Sequence, residues 1–345
     1  MIRANNKYSR LCIVATLVCL SAPLLATERQ TLFPVEKDGK WGYIDSAGEV
    51  VINFQFNDAA PFSEGLAVVK KGDYFGYIDM QGRFILPPKY LGAFAFKEGL
   101  AWTESGSSQP GFINKQGTVV LSIPGGGWSR EFREGLALFH REGAHGDYPG
   151  GDTSVGFVNR KGNIILSPRF EAALDFSEGL AAAKLDGKWG FINTKGEWAL
   201  SPQFTSASSF SEGAACVVFN GKTRYVNSKG DKVIEQEYEE GNGFHEGLAA
   251  VKMGGKWGCI DKNGKMAIPN KFEEISGFFG GRSGFKQGSL FGYMNASGKV
   301  IVEPKYGYAH FYLGDLAGVA IRETGNGSSR GYIDKNGKVV WAPKP

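Results

Sequence analysis

Shifted by 34 residues the chain matches itself nearly throughout, and this repeat constrains its fold more than any other feature. The clearest row is aromatic-Gly-aromatic-Ile-Asp, as in Trp41-Gly42-Tyr43-Ile44-Asp45 and Phe75-Gly76-Tyr77-Ile78-Asp79. Its anchor glycines are Gly42, Gly76, Gly111, Gly156, Gly190, Gly258, Gly292 and Gly331, with Arg224 in the sixth of nine places. A second row, Phe-x-Glu-Gly-Leu-Ala, begins at Phe62, Phe96, Phe132, Phe176 and Phe244, with a variant at Phe210, and it decays near Phe278 and Tyr312. The third row is an apolar triplet, often followed by proline and an aromatic, as in Ile164-Ile165-Leu166 with Pro168 and Phe170.

Each unit reads as three short strands. Leu66-Ala67-Val68-Val69 is an apolar run ending in a Gly/Lys/Asp turn, Tyr74 to Asp79 follows as a second strand, and the triplet is the third. In all nine units an Asp or Asn closes the second strand and a glycine stands three places later, from Asp45/Gly48 to Asp334/Gly337. That spacing specifies a type I turn with an Asx acceptor and a left-handed glycine. Glycine inside the second strand makes sense only where another group approaches closely. The stretch from Phe56 to Gly65 is expected to be irregular or a single helical turn. No segment has the period of a long amphipathic helix.

Units such as Gly-Lys-Trp-Gly-Tyr-Ile-Asp, seen at Lys40 to Asp45, Lys188 to Asn193 and Lys256 to Asp261, resemble the bacterial WG-repeat (KWG-type) family. The resemblance spans the chain beyond its N-terminal segment. It implies a β-rich extracytoplasmic repeat protein with no common catalytic activity.

Three short strands cannot bury both faces alone, so stability must come from contacts between neighbouring units. The fold class is all-β: a tandem array of about nine three-stranded antiparallel units. An open twisted superhelix or solenoid is the expected arrangement, because 34 residues fall short of the ~40 of a four-stranded blade and no strand is shared between the ends to close a ring. A closed β-propeller is the alternative.

At the N-terminus Arg3, Lys7 and Arg10 precede an apolar run from Leu11 to Leu20, interrupted at Pro23 and ending in Ala26. This pattern describes a signal peptide, residues 1–26, ahead of a repeat domain over 27–345. The mature chain is then periplasmic or secreted and not stably membrane-inserted. Its removal lowers the net charge from +4 to +1, which leaves no basic footprint for nucleic acid. It also removes Cys12 and Cys19, leaving Cys216 and Cys259, whose pairing is open. The register sets Ala250, the counterpart of Cys216, opposite Cys259.

Function on a repeat scaffold is sought where the pattern breaks. The largest break is the first hairpin of the fourth unit, where Leu136 to Gly156 encloses an inserted loop with His140, His145, Asp147, Tyr148 and Asp152. The ninth unit is enlarged in the same hairpin, at Glu323 to Arg330, so both insertions decorate one edge. His140, His145 and Asp147 could be drawn as metal ligands, but their spacing matches no zinc signature and a glycine-rich loop holds ligands poorly. No metal, cofactor or catalytic site is expected. The recurring Glu64, Glu98, Glu134, Glu178, Glu212 and Glu246 read as turn carboxylates accepting backbone N–H bonds, because an enzyme needs one asymmetric site. The residues Trp102, Trp128, Trp198 and Trp341 fall outside the Trp-Gly row and are the candidates for exposed aromatics. Together these features point to a non-enzymatic scaffold for an unknown protein partner, with a glycan or cell-envelope ligand as the alternative.

Overall fold

The computed structural model describes residues 31–105, 108–122, 129–140, 155–324 and 327–342, and Thr31–Pro345 forms one compact unit. Nine antiparallel sheets follow one another along the chain. In the second, the strands are Asp58–Ala59, Ala67–Lys71, Tyr74–Ile78 and Phe84–Tyr90, hydrogen-bonded in that order. The three long strands match the sequence reading. The short strand comes from the stretch expected to be irregular or helical, where Ala60 N–H donates to the Val68 carbonyl at 2.9 Å and Asn57 N–H to that of Lys70 at 2.8 Å. Equivalent short strands have two residues in six blades and five in the fourth and ninth (Ser129–Arg133, Ala309–Leu313). A fourth strand of two residues is how a 34-residue unit makes a blade.

The turns follow the sequence rule in every unit. Asp45 Oδ1 accepts the N–H groups of Ala47 and Glu49, both at 2.9 Å, and Gly48 has φ +90°.

The strand glycines have a single cause. The third strand crosses so close that a Cβ at Gly190 would stand 2.5 Å from the Leu200 carbonyl oxygen, and one at Gly258 2.6 Å from that of Ile268. Arg224 shows the rule by its exception. Among the described residues its blade has no regular third strand, and the backbone of Lys232 to Tyr238 is held by the bridges Val226↔Lys232 and Thr223↔Tyr238 and by the Val233 N–H bond to the Tyr225 carbonyl at 3.0 Å. The arginine uses the vacated space, lying over the Phe219 ring at 4.7 Å and pairing with Glu237 at 2.6 Å.

Consecutive buried residues on the first two long strands, such as Ala67-Val68-Val69 and Gly76-Tyr77-Ile78, show that both sheet faces are covered. Each apolar cluster joins one blade to the next: Tyr43, Ile52 and Phe56 pack on Ala67, Val69 and Ile78, and so on around the chain. An open array of nine blades would have eight such interfaces. There is a ninth: Phe33, Val35 and Ile44 of the first blade pack with Leu316, Tyr332, Val340 and Trp341 of the last. The Phe33 and Tyr332 rings lie 5.6 Å apart, and the Tyr332 hydroxyl donates to the Pro34 carbonyl at 3.0 Å.

The open superhelix is therefore incorrect, and the molecule is a closed nine-bladed β-propeller. The ends meet by side-chain packing without exchanging a strand, and the seam is marked in the sequence. Where the first long strand starts, the other blades carry Ala67, Ala101, Ala137, Ala181, Ala215, Ala249, Ser283 and Ala317, all buried, but the first carries Phe33. The recurring aromatic of Phe62 packs against the preceding blade, its ring 4.9 Å from Tyr43, and in register Glu28 holds that place in the first unit. Phe33 supplies the missing ring from the neighbouring position.

Candidate functional site

The short strands and the segments that follow them surround the axis. A cavity of about 410 Å³ is lined by Arg130 and Arg133, Asp175 and Ser177, Ser208 to Ser211 and His245, which belong to four successive blades. Only near the axis of a ring can four blades reach one space.

On this rim the repeated Glu-Gly turns form a chain of inter-blade bonds. Each glutamate has a left-handed backbone, φ 50–56°, and so does the glycine after it. Its carboxylate accepts from the turn of the following blade: Glu64 from Gly99 N–H at 3.0 Å, Glu134 from Glu178 and Gly179 at 2.7 and 2.9 Å, Glu246 from Gly280 and Gly281 at 2.7 and 2.8 Å. The carboxylates bond backbone N–H groups as the sequence implied, but in the next blade and not in their own. At Glu212, burial alone would raise the pKa, yet Lys262 at 3.1 Å and the Gly247 N–H hold the carboxyl below its ordinary range. Serines one place earlier add a second tie: Ser63, Ser177 and Ser211 donate to the carbonyls of Phe96, Phe210 and Phe244. Buried tyrosines add a third, the Tyr43, Tyr77, Tyr225 and Tyr293 hydroxyls each donating to a carbonyl 17 residues on. Burial pushes these phenols far above their usual range, so they act as donors.

Both chains stop in the last blades. Phe279-Gly280-Gly281 and Leu313-Gly314-Asp315 stand where the six earlier blades carry Glu-Gly, three of them with the serine before it, and the polar ties give way to rings. His245 and Phe279 lie 4.9 Å apart, Phe279 and Phe311 4.8 Å, each pair tilted by 36°. Tyr308 and His310 meet at 4.4 Å, and the run continues to Phe311 at 6.3 Å. Phe311 is 54% exposed and Leu313 46%. Residues at the Phe279 place in the six earlier blades are Ser63, Lys97, Arg133, Ser177, Ser211 and His245, where the ring run begins, so this arc is an apolar departure on an otherwise polar rim.

The arc beside it is polar. Arg133 Nε lies 3.6 Å from Asp175 Oδ2, while Asp175 Oδ1 is buried with no hydrogen-bond partner among the described residues. His140 is half-buried, and burial first and Arg130 second push its pKa down to about 4, so it is neutral near pH 7.

The candidates named from sequence fare differently. His145, Asp147, Tyr148, Asp152 and Trp128 lie outside the described residues. The strand ends that bound the two enlarged hairpins, His140 and Val155 in the fourth blade and Thr324 and Gly327 in the ninth, lie at the end of the long strands opposite the Glu-Gly turns. Trp102 is not an exposed aromatic. It is 3% exposed, because its place on the first long strand faces the next blade, where its cluster takes in Phe132 and Phe139. Trp198 and Trp341 are half-buried against the core. Ala250 pairs with Cys259 as the register required, and Cys216 and Cys259 are separate buried thiols in different clusters. The aromatic arc was missed, although the decay of the Phe-x-Glu-Gly row near Phe278 and Tyr312 was its signal.

Fold and rim define the class, a closed nine-bladed β-propeller with an asymmetric axial face. By sequence the chain belongs to the WG containing repeat family, whose model matches residues 41–74, 75–107, 156–189, 189–222, 224–257, 257–290 and 291–323. The enlarged fourth hairpin falls in the gap between matches. No curated protein matches the chain in sequence. Among solved structures, a eukaryotic initiation factor is similar with TM-score 0.60 at 12% identity, over 91% of this chain and 96% of that one. Hsv2 of Kluyveromyces lactis aligns with TM-score 0.43 at 9% identity, over 80% of this chain and 92% of its own. At such identities the first likeness speaks for fold alone, and the second carries no argument.

Proposed function

We propose that the protein is an exported, non-enzymatic scaffold that binds a protein partner through the inner rim of the face carrying the Glu-Gly turns. The carrying observation is the aromatic run from His245 through Phe279 to Phe311, half-buried at its start and exposed at Phe311 and the neighbouring Leu313. An exposed apolar patch rimmed by charge is the usual form of a protein interface, and aromatics supply its strongest contacts. Arg130 and Arg133 lie in the adjoining arc and favour a partner whose surface is acidic there. Export rests on the N-terminal pattern ending at Ala26. The glycan alternative is less well supported, with Trp102 buried and Trp198 and Trp341 half-buried.

The test uses substitutions the repeat itself tolerates. Phe279→Ser and Phe311→Ser install the residues found at Ser63 and Ser209 in the same register. Proteins crosslinked to the exported chain in its native envelope fraction should be lost from the double variant, with its melting temperature unchanged. Recovery of the same set by both chains would refute the rim as the binding surface. N-terminal sequencing should find Thr27 first.

A further inference from the structure

Eight blades carry a short strand on the axial edge of their first long strand, and among the described residues the first blade, Phe33–Lys37 onward, does not. In the repeat register its place belongs to Pro23 to Ala26, which the leader reading removes. A cavity of about 220 Å³ lies there. Pro34, Val35 and Glu36 form its floor, while Ala59 of the second blade and His310 of the ninth stand on either side. The Pro34 and Glu36 carbonyls correspond to those of Val68 and Lys70, which accept the N–H groups of Ala60 and Asn57 in the second blade. The Tyr332 hydroxyl already shows the substitution: it donates to the Pro34 carbonyl, whereas Tyr43 in the first blade donates to Ala60 of the following short strand.

We propose that this edge is a strand-addition site, which takes a short extended segment of a protein partner and completes the first blade. An unpaired strand edge is a template for a further strand, with backbone bonds giving affinity and side-chain pockets giving selectivity. The other blades specify the occupant, since each is an internal copy of the complex. The residue seated opposite the Val35 position is Ala59, Ala93, Ser129, Ala173, Ala207, Gly241 or Ala309 in seven of the eight, with Ile275 the exception, so the segment carries a small side chain there. The aromatic three places later, Phe62 in the second unit, is not required, because Phe33 fills that space. The proposal rests on leader removal and on the scaffold reading, but uses a part of the rim distinct from Phe279 and Phe311.

Asp58 pairs with Lys70, whose counterpart is the exposed Glu36. Cβ atoms directly opposed in antiparallel strands are about 4.5–5.5 Å apart, near disulfide range. The probe is a peptide with the sequence Asn57–Phe62 carrying, in place of Asp58, a cysteine activated as its mixed disulfide with thionitrobenzoate, offered to the Glu36→Cys variant of the chain starting at Thr27, whose introduced thiolate attacks the peptide sulfur and expels thionitrobenzoate. Cys216 and Cys259 do not compete, since burial pushes both thiols up to about 12. The mixed disulfide should form at least ten-fold faster than with a scrambled peptide of the same composition. A Lys37→Cys variant, one residue out of register, should show no such preference. Equal rates with both peptides, in a variant whose melt and near-UV spectrum match the parent, would overturn the site and leave the Phe279–Phe311 reading standing. Recovery of the same crosslinked set by the parent and the Phe279→Ser, Phe311→Ser chain, with trapping intact, would do the reverse.

Discussion

Alanine at a strand glycine tests the explanation of the repeat most directly, and Gly258 is the most informative place. A Cβ there would stand 2.6 Å from the Ile268 carbonyl oxygen, 2.7 Å from the Asn270 nitrogen and 2.8 Å from the Asn270 Cα. All three neighbours are backbone, so no side chain can swing aside, and the third strand must retreat by roughly 0.7 Å to reach ordinary contact. Overpacking of this kind costs about 1–3 kcal/mol. The ladder pairs on either side, Trp257↔Phe272 and Cys259↔Ile268, would each lose about 1 kcal/mol of hydrogen bonding. Reduced freedom of the unfolded chain offsets about 0.4–1 kcal/mol. The net loss is about 2–4 kcal/mol.

With an unfolding entropy of about 2.1 cal/mol/K per residue over roughly 300 residues, that loss lowers the melting temperature by about 3–6 °C. Calorimetry of Gly258→Ala measures it. Gly247→Ala is the control, with nothing within 4 Å of the added methyl but a φ of +79°, so only the left-handed backbone is penalised, by about 1 kcal/mol. Arg224→Ala should also cost about 1 kcal/mol, because the third segment of that blade has already withdrawn. A Gly258→Ala chain melting within about 1 °C of the parent, or no worse than Gly247→Ala, would refute the close-approach argument.

Phe33→Ala gives the first blade the residue of the other blades and should cost about 3–5 kcal/mol, with proteolysis of the native chain beginning at the seam. Tyr332→Phe, which removes only the bond to Pro34, should cost about 1 kcal/mol by the same denaturation assay. The Glu212 carboxyl is held below the ordinary value of 4.5, so the unfolded chain binds the extra proton: its contribution is complete above about pH 4.5 and is lost as the pH falls through the lower folded value. Glu212→Gln should therefore flatten the acid limb of the stability curve below pH 4.5 and leave its slope at neutral pH unchanged. Iodoacetamide should leave Cys216 and Cys259 unmodified in the native protein and label both on unfolding, and an exported chain that then gives four labelled thiols instead of two has kept its leader.

Local structure was legible because each element is fixed by neighbours a few residues away. An Asx side chain and a glycine three places apart determine a turn whatever surrounds it, and all nine turns form. The pairing of Ala250 with Cys259 follows from one short hairpin. Closure was not legible by the same means, because it depends on the sum of small rotations between blades, which no single unit encodes. The ends meet by side-chain packing, so no shared strand marks the closure. The usable signal was compositional: an aromatic, Phe33, at a place that is alanine or serine in eight other units. A large residue at a small-residue position needs an empty space to fill, and the first unit has one only if the last blade packs against it.

The same logic separates the two kinds of departure from the repeat. The inserted hairpins add residues outside the pattern, so they stand out in a sequence, and they are added between the first and second long strands. The substitutions at Phe279, Phe311 and Leu313 add no length, but Phe279 and Leu313 replace the serine tie made by Ser63, Ser177 and Ser211, and Phe311 and Leu313 are exposed apolar side chains. Where Glu246 hands its two bonds to Gly280 and Gly281, the eighth blade has no carboxylate to pass onward, so the rim gives up cohesion over the arc where it gains rings. Ties abandoned next to the seam, in the part of the ring that can least spare them, are explained if that arc is stabilised by what it binds. Binding to the folded ring alone stabilises it by mass action, about 2.7 kcal/mol at a hundred-fold excess over Kd. A partner on this arc should consequently raise the melting temperature of the parent and leave that of the Phe279→Ser, Phe311→Ser double variant where it was. A partner that raises both equally binds elsewhere.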